Sequence, residues 1–197
     1  MLYRILHKLI EAPAWLTSRV MARVWLSACN SVGRNARTFF HPNIENLGRI
    51  EIGNNVRLNS NWAPLELVTG PQGVIRIGDG VYINYGTLVS AQHLITIGAN
   101  VMVGNYSIIA DTEIPGISEP PGRPRIAARS VEIGDGAWLA ARVTVLPGAR
   151  IGAGAVIAAG SVVAGEIPPG AVAGGIPARV LRNAPATSPA SEESERQ

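Results

Sequence analysis

The chain has one cysteine, three histidines and few aromatic residues. A lone Cys29 cannot form an intrachain disulfide, so no disulfide framework holds this fold, and a reducing cytoplasm is the expected compartment. His7, His41 and His93 stand far apart with no metal-ligand spacing, so no metal is expected. Aromatics make up 5% and charged residues 16%, against 47% hydrophobic residues, so the core has to be aliphatic. A net charge of +3 is too small to point to nucleic acid. Long apolar runs are missing too. Arg4, Lys8, Arg19 and Arg23 interrupt residues 2–26, which therefore read neither as a membrane span nor as a signal peptide. What is abundant is glycine, 22 residues spread through the middle of the chain, which implies many tight turns.

Those turns are periodic. From residue 133 the chain reads IGDGAW-LAARVT-VLPGAR-IGAGAV-IAAGSV-VAGEIP, with aliphatic residues at Ile133, Leu139, Val145, Ile151, Ile157 and Val163. Four positions after the first five stand Ala137, Val143, Ala149, Ala155 and Ser161. The same register recurs at Ile77, Val81, Ile83, Thr87 and Val89, again at Ile97, Val101, Val103, Ser107 and Ile109, and faintly at Ile50, Ile52, Val56 and Leu58. A period of six is neither that of a helix nor a long two-residue alternation. It describes a short strand and a corner, repeated, and three such sides close a triangular coil whose neighbours pair in parallel. The expected class is an all-β solenoid, a parallel β-helix, with Ile133, Leu139, Val145, Ile151 and Ile157 in its core. The spacing from Ile77 to Ile97 exceeds three hexapeptides and places a bulge near residues 90–96.

The flanks differ in kind. Residues 1–30 carry helical spacing at Leu2, Leu6 and Leu9 and at Leu16, Val20 and Val24, broken by Pro13. They read as a helical cap over the open end of the solenoid. Their basic residues also suit peripheral contact of residues 1–26 with an anionic membrane surface, which would put the protein at the inner face of the membrane. The solenoid is expected over 31–183, interrupted by a Pro-, Gly- and Arg-rich insertion at 111–130 that loops out as a candidate functional element. Residues 184–197 read as a disordered polar tail.

The stretch IGDGAWLAARVTVLPGARIGAGAVIAAGSVVAGEIPPGAVAGGIPARVLR resembles the C-terminal coils of galactoside, maltose and nodulation-factor acetyltransferases, and it is similar to polysaccharide O-acetyltransferases. The likeness runs back through IRIGDGVYINYGTLVS and covers roughly residues 50–183. The resemblance implies the left-handed form of the β-helix and a homotrimer with clefts between subunits. It also implies acetyl-CoA or another acyl-CoA as co-substrate and a small-molecule or saccharide acceptor, deprotonated by a general base. Carried over by position, Tyr82 and Asn84 match a Tyr-x-Asn element near the acceptor. Trp138 matches an aromatic lining the acceptor and pantetheine region. Ala159 and Gly160 match the small pair against the pantetheine, and Arg179 and Arg182 match basic residues near the CoA phosphates.

Three departures set this chain apart. The resemblance puts a catalytic histidine before a proline in the loop leaving the middle coil, where this chain has Ile114 before Pro115. Ala164 and Gly165 stand where Thr-Lys is usual, and Ala91 replaces a sugar-binding Asp. The candidate bases are then His93, whose imidazole class titrates near neutrality, and the carboxylates Asp111 and Glu113 of the insertion, read as solvated loop charges if not bases. Three functions stay open: an acyltransferase with atypical catalytic residues, a catalytically inactive trimeric homologue that binds a ligand or serves as a scaffold, and a different acyl-handling reaction in the same cleft. The zinc-dependent carbonic anhydrase branch needs three converging histidines, and their scatter along this chain speaks against it.

Overall fold

The computed structural model describes residues 14–112 and 127–183, with side chains from residue 18 onward. Most of the insertion, residues 113–126 with Glu113, Ile114 and Pro115, lies outside the described residues, as do the tail from residue 184 and the segment before Ala14. The chain enters through a helix, α1 (Ala14–Trp25), and then winds into a left-handed parallel β-helix. Its first coil is β1 (Ser31–Val32), β2 (Arg37–Phe39) and β3 (Asn43–Asn46). The second is β4 (Arg49–Ile52), β5 (Arg57–Asn59) and β6 (Glu66–Thr69). The third is β7 (Val74–Ile77), β8 (Tyr82–Ile83) and β9 (Leu88–Ala91), and the fourth is β10 (Leu94–Ile97), β11 (Met102–Val103) and β12 (Ile108–Ala110). The fifth is β13 (Val131–Ile133), β14 (Trp138–Leu139) and β15 (Thr144–Val145). The sixth is β16 (Arg150–Ile151), β17 (Val156–Ile157) and β18 (Val162–Val163), followed by β19 (Glu166–Ile167) and an antiparallel pair, β20 (Val172–Gly175) and β21 (Ala178–Arg182).

Every third strand shares a face. The first face runs β1-β4-β7-β10-β13-β16-β19, the second β2-β5-β8-β11-β14-β17-β20-β21, and the third β3-β6-β9-β12-β15-β18. Consecutive coils are one strand spacing, about 4.8 Å, apart along the axis. Within each strand the repeat's aliphatic residue points inward. Leu58, Ile83, Val103, Leu139 and Ile157 lie in register down the second face, and all are buried. Ile133, Leu139, Val145, Ile151 and Ile157 are all core residues, as the six-residue register requires.

The recurring glycine has a steric cause at the corner between the first and second faces. A Cβ on Gly98 would stand 2.7 Å from the backbone nitrogen of Asp135 in the next coil, closer than atoms tolerate. Two residues on, the corner needs a left-handed residue, supplied by Gly136 at φ +67° and by Asn55 and Asn100 at φ +57° and +56°. The Gly-Asx-Gly motif is thus coil stacking plus a reversal of chain direction.

The helix buries a different stripe from the one that carries the spacing in the sequence. Ser18 and Ala22 on the helix and Leu26 just past its end are buried, four apart, and Ala22 and Leu26 join the solenoid core. Val20 and Val24, which carry the helical spacing in the sequence, are 56% and 61% exposed. The stripe Leu16-Val20-Val24 and the stripe Ser18-Ala22-Leu26 have the same helical spacing. The end coil selects the one with small residues, which lets the helix approach β2 closely. Arg19 hydrogen-bonds Asn35 beside this contact. The extra residues expected as a bulge near 90–96 form the Gln92–His93 corner between β9 and β10.

Cys29 lies half-buried between helix and first coil, and burial pushes its thiol up to about 11. Its thiolate fraction at pH 8 is then roughly a hundredfold below that of an unhindered thiol, partly offset by the greater nucleophilicity of a more basic thiolate. Alkylation of Cys29 by iodoacetamide is expected to run about tenfold slower than that of free cysteine. A mass-spectrometric time course at pH 8 that matches free cysteine would contradict this burial.

Candidate functional site

The outward lane of the second face carries most of the expected residues. Arg37, Arg57, Tyr82, Met102, Trp138, Val156, Val172 and Arg182 are successive register partners. Tyr82 and Trp138 therefore lie on one flat side, with Met102 between them. Trp138 is 48% exposed although its strand neighbour Leu139 is buried, because strand side chains alternate in and out. The guanidinium of Arg57 sits 5.2 Å from the centre of the Tyr82 ring, a cation–π contact.

Asn84 follows β8 at the corner between the second and third faces. The side-chain amide of Asn59, one coil earlier, donates to Asn84 Oδ1 at 3.0 Å and to the Tyr82 hydroxyl at 3.3 Å. Asn84 Oδ1 also accepts from the backbone N–H of Tyr85 at 2.9 Å. The Tyr82–Asn84 element is thus held rigid by a third residue that reading the motif alone did not single out. The signal for it was available in the repeat, since Arg57 and Asn59 occupy in coil two the positions of Tyr82 and Asn84 in coil three. The same corner carries an aromatic stack, also missed. Trp62 stacks on Tyr85 at 6.0 Å, Tyr85 meets Tyr106 edge-on at 5.4 Å, and Arg142 lies 5.9 Å from the Tyr106 ring centre. Ala159 and Gly160 sit at this corner in the sixth coil, both exposed. Gly160 has φ +71° and open space around its Cα. Arg179 and Arg182 are exposed on β21 at the far end of the lane.

The two candidate bases lie elsewhere. His93 is exposed at the corner between the third and first faces, in the same coil as Tyr82 and Asn84. Asp111, expected as a solvated carboxylate, is fully buried at the end of β12. Its Oδ1 accepts the backbone N–H of Gln92 at 2.8 Å and its Oδ2 accepts that of His93 at 2.7 Å. Its backbone carbonyl takes the N–H of Arg129 at 2.8 Å where the chain returns from the insertion. Both carboxylate oxygens are used in holding the His93 corner, so Asp111 is not the solvated loop charge that the sequence suggested. Within one copy, His93 and the Asn84–Trp138 lane stand at different corners of the prism, and the fold does not bring them together. Ala91, where a sugar-binding Asp was considered, is buried in the core.

The three outer faces differ in chemistry. On the first, Glu51, Arg76, Thr96, Glu132, Arg150 and Glu166 are successive register partners, so charges mostly alternate in sign. Arg49 and Arg76 both pair with Glu51, and the hydrogen bond from Arg49 leads in holding its carboxyl below the ordinary 4.5. On the third face the outer lane reads Asn43, Glu66, Leu88, Ile108, Thr144 and Val162, exposed at the first two and half-buried from Leu88 on. From the third coil onward the outer lanes of the second and third faces are therefore largely apolar, and the first face is solvated and ion-paired. Among the described residues no cluster of His, Cys, Asp and Glu is placed to hold a metal ion, and no helix is long and apolar enough to cross a membrane.

This architecture defines a class, the hexapeptide-repeat transferases, and comparison agrees. Residues 130–165 match the family described as bacterial transferase hexapeptide (six repeats). WbbJ of Escherichia coli K12, named for lipopolysaccharide biosynthesis O-acetyl transfer, is 33% identical over 161 residues, covering 76% of this chain and 80% of that one. The galactoside O-acetyltransferase of the same strain is 34% identical over 108 residues, 55% of this chain and 53% of that one. The chain thus spans about half of that enzyme. Among solved structures, a hexapeptide-repeat-containing acetyltransferase of Vibrio cholerae complexed with acetyl coenzyme A superposes with a TM-score of 0.55 at 25% identity, covering 82% of this chain and 74% of that one. The N-acyltransferase AntD of Bacillus cereus, solved with dTDP and 3-hydroxybutyryl-CoA, shares the fold at a TM-score of 0.69 and 20% identity, covering 84% of this chain and 88% of that one. The chain belongs to the hexapeptide-repeat acyltransferase superfamily.

Proposed function

We propose that this protein transfers an acyl group from acetyl-CoA or another acyl-CoA to a hydroxyl or amine of a small molecule or saccharide, in a cleft between copies of a homotrimer. The observation that carries this reading is the outer lane of the second face. Tyr82, Met102 and Trp138 form an apolar stripe beside the fixed Asn84, and the stripe leads to the open Ala159–Gly160 corner and to Arg179 and Arg182. That order suits a ligand with an apolar arm and a phosphate-bearing end. The acyl-CoA supplies the thioester. Ala159 and Gly160 offer close backbone approach to its arm, Trp138 packs against it, and Arg179 and Arg182 meet its phosphates.

The differing faces support the assembly. Second and third faces that are apolar from the third coil onward, beside one ion-paired face, suit a closed ring in which the second face of each copy meets the third face of the next. The corner after β9 of a neighbouring copy then borders the cleft at the height of Tyr82 and Asn84, because all belong to the same coil. His93 of that copy is the base in this reading. It accepts the proton of the acceptor hydroxyl as the oxygen attacks the acyl carbon, the C–S bond breaks, and CoA thiol leaves.

The test is release of free thiol from acetyl-CoA against a panel of alcohols and amines, with light scattering for the assembly. A trimer that releases thiol with at least one acceptor supports the reading, and a monomer at micromolar concentration counts against it. In the active protein Trp138→Ala is expected to raise KM for acetyl-CoA about tenfold, the size of a lost aromatic contact, with the thermal midpoint unchanged because the ring is outside the core. A second reading, an inactive trimeric homologue that binds a ligand or serves as a scaffold, is favoured by one observation. Asp111 is spent on backbone hydrogen bonds, and among the described residues no imidazole stands on the second face.

A further inference from the structure

Among the described residues, the strand ladders place two like charges in direct register at Arg37 and Arg57. On the first face Arg76 is in register with Glu51, and Arg150 with Glu132 and Glu166. On the second face Arg37 and Arg57 are direct register partners, and the next position is Tyr82. Two guanidinium-bearing residues one strand spacing apart repel, and a ladder ordinarily places opposite charges there. Among the described residues neither arginine forms an ion pair. The cavity of about 290 Å³ between them is lined by Asn35, Arg37, Asn55, Arg57 and Gly80, without a carboxylate. The nearby Asp79 lies outside this lining. It is engaged by the backbone and side chain of Asn54, which hold its carboxyl below its ordinary value.

Arg57 is also oriented. Its guanidinium rests over the Tyr82 ring, and the Tyr82 hydroxyl accepts from Asn59, which holds Asn84. An uncompensated cation pair therefore abuts the network assigned above to the acceptor, at the opposite end of the lane from Arg179 and Arg182.

We propose that Arg37 and Arg57 form a phosphate-binding subsite, so that the acceptor is a phosphorylated sugar or a sugar linked through a diphosphate. Guanidinium forks match phosphate oxygens in geometry as well as charge, and Asn55, whose Oδ1 accepts from the Asn35 amide at 3.2 Å, adds an amide donor at the rim. The word acceptor rests on the acyl-transfer reading; the anion subsite does not, and binding tests it without turnover. The full chain carrying Arg179→Ala and Arg182→Ala, which removes the other phosphate-binding end, is titrated by calorimetry with inorganic pyrophosphate, glucose 1-phosphate, UDP-glucose and glucose. The phosphates are expected to bind and glucose is not. Adding Arg57→Gln weakens their binding by about tenfold or more, and Arg57→Lys, which keeps charge but loses the planar fork, falls between. Binding of all three phosphates identifies the phosphate group itself as the ligand, and binding of UDP-glucose alone identifies the nucleotide-linked source. The thermal midpoint of Arg57→Gln is unchanged or raised, since the variant relieves repulsion. No binding of any phosphate at millimolar concentration, equal binding of glucose, or unweakened binding by Arg57→Gln overturns the subsite. A chain that passes this test yet neither binds acetyl-CoA nor releases thiol, with Arg179 and Arg182 intact, loses the acyl-transfer reading and keeps the anion site.

Discussion

His93→Ala is expected to lower the rate of thiol release by ~10²–10⁴-fold, the range for removing a general base, with KM for acetyl-CoA little changed. Among the described residues His41 is the other imidazole, and it lies against Trp25 near the helix, with ring centres 5.6 Å apart. Mixing the inactive His93→Ala chain with an inactive Asn84→Ala chain should restore part of the rate, because a cleft shared between copies can then draw each intact residue from a different copy. Turnover within about twofold of the parent in His93→Ala would exclude the imidazole as base. A parent chain that releases no thiol with any acceptor, and gains release on Ile114→His, decides for the non-catalytic reading.

The second large effect is on stability. Asp111→Ala removes the acceptors of two backbone N–H groups, those of Gln92 and His93, from a fully buried position. Each donor left without a partner costs about 1–3 kcal/mol, and two at a partly buried corner make a loss of about 2–4 kcal/mol. For a domain of this size that lowers the thermal midpoint by very roughly 5–15 °C. Asp111→Asn is expected to lose about half as much, since one oxygen acceptor remains while the new amide opposes the other N–H. Calorimetric unfolding of both variants measures this. A midpoint within a degree of the parent would show that solvent replaces the carboxylate freely. Because the corner carries His93, turnover should fall with stability in Asp111→Ala, and its pH profile should keep its shape, which separates a positioning residue from a base.

Much of the fold was legible in the chain because a hexapeptide coil is a local object. Each aliphatic residue, each left-handed corner and each close-packed glycine answers to neighbours a fixed distance away in sequence, so Leu139 and Ile157 declare their burial wherever the repeat is recognised. The helix was legible only as a helix. Which stripe it buries depends on the shape of the end coil, and there Ala22 and Leu26 displaced Val20 and Val24. Asp111 misled for a related reason. A carboxylate opening a loop rich in Pro and Gly reads as solvated, and nothing in the linear order says that two N–H groups from the previous coil converge on it.

The site divides along the same line. The sequence by itself determined the solenoid and its aliphatic core, because period and residue type are written in the chain, while Tyr82, Asn84 and Trp138 were singled out only through the family resemblance. Only the tertiary structure decided that Arg37, Arg57, Tyr82, Met102 and Trp138 form one lane, that Asn59 fixes Asn84, and that His93 stands at another corner of the prism. Residues twenty or more apart become neighbours only when coils stack. The coil lengths, which vary where β6 and β9 lead into longer corners and where the insertion leaves β12, set which of them meet.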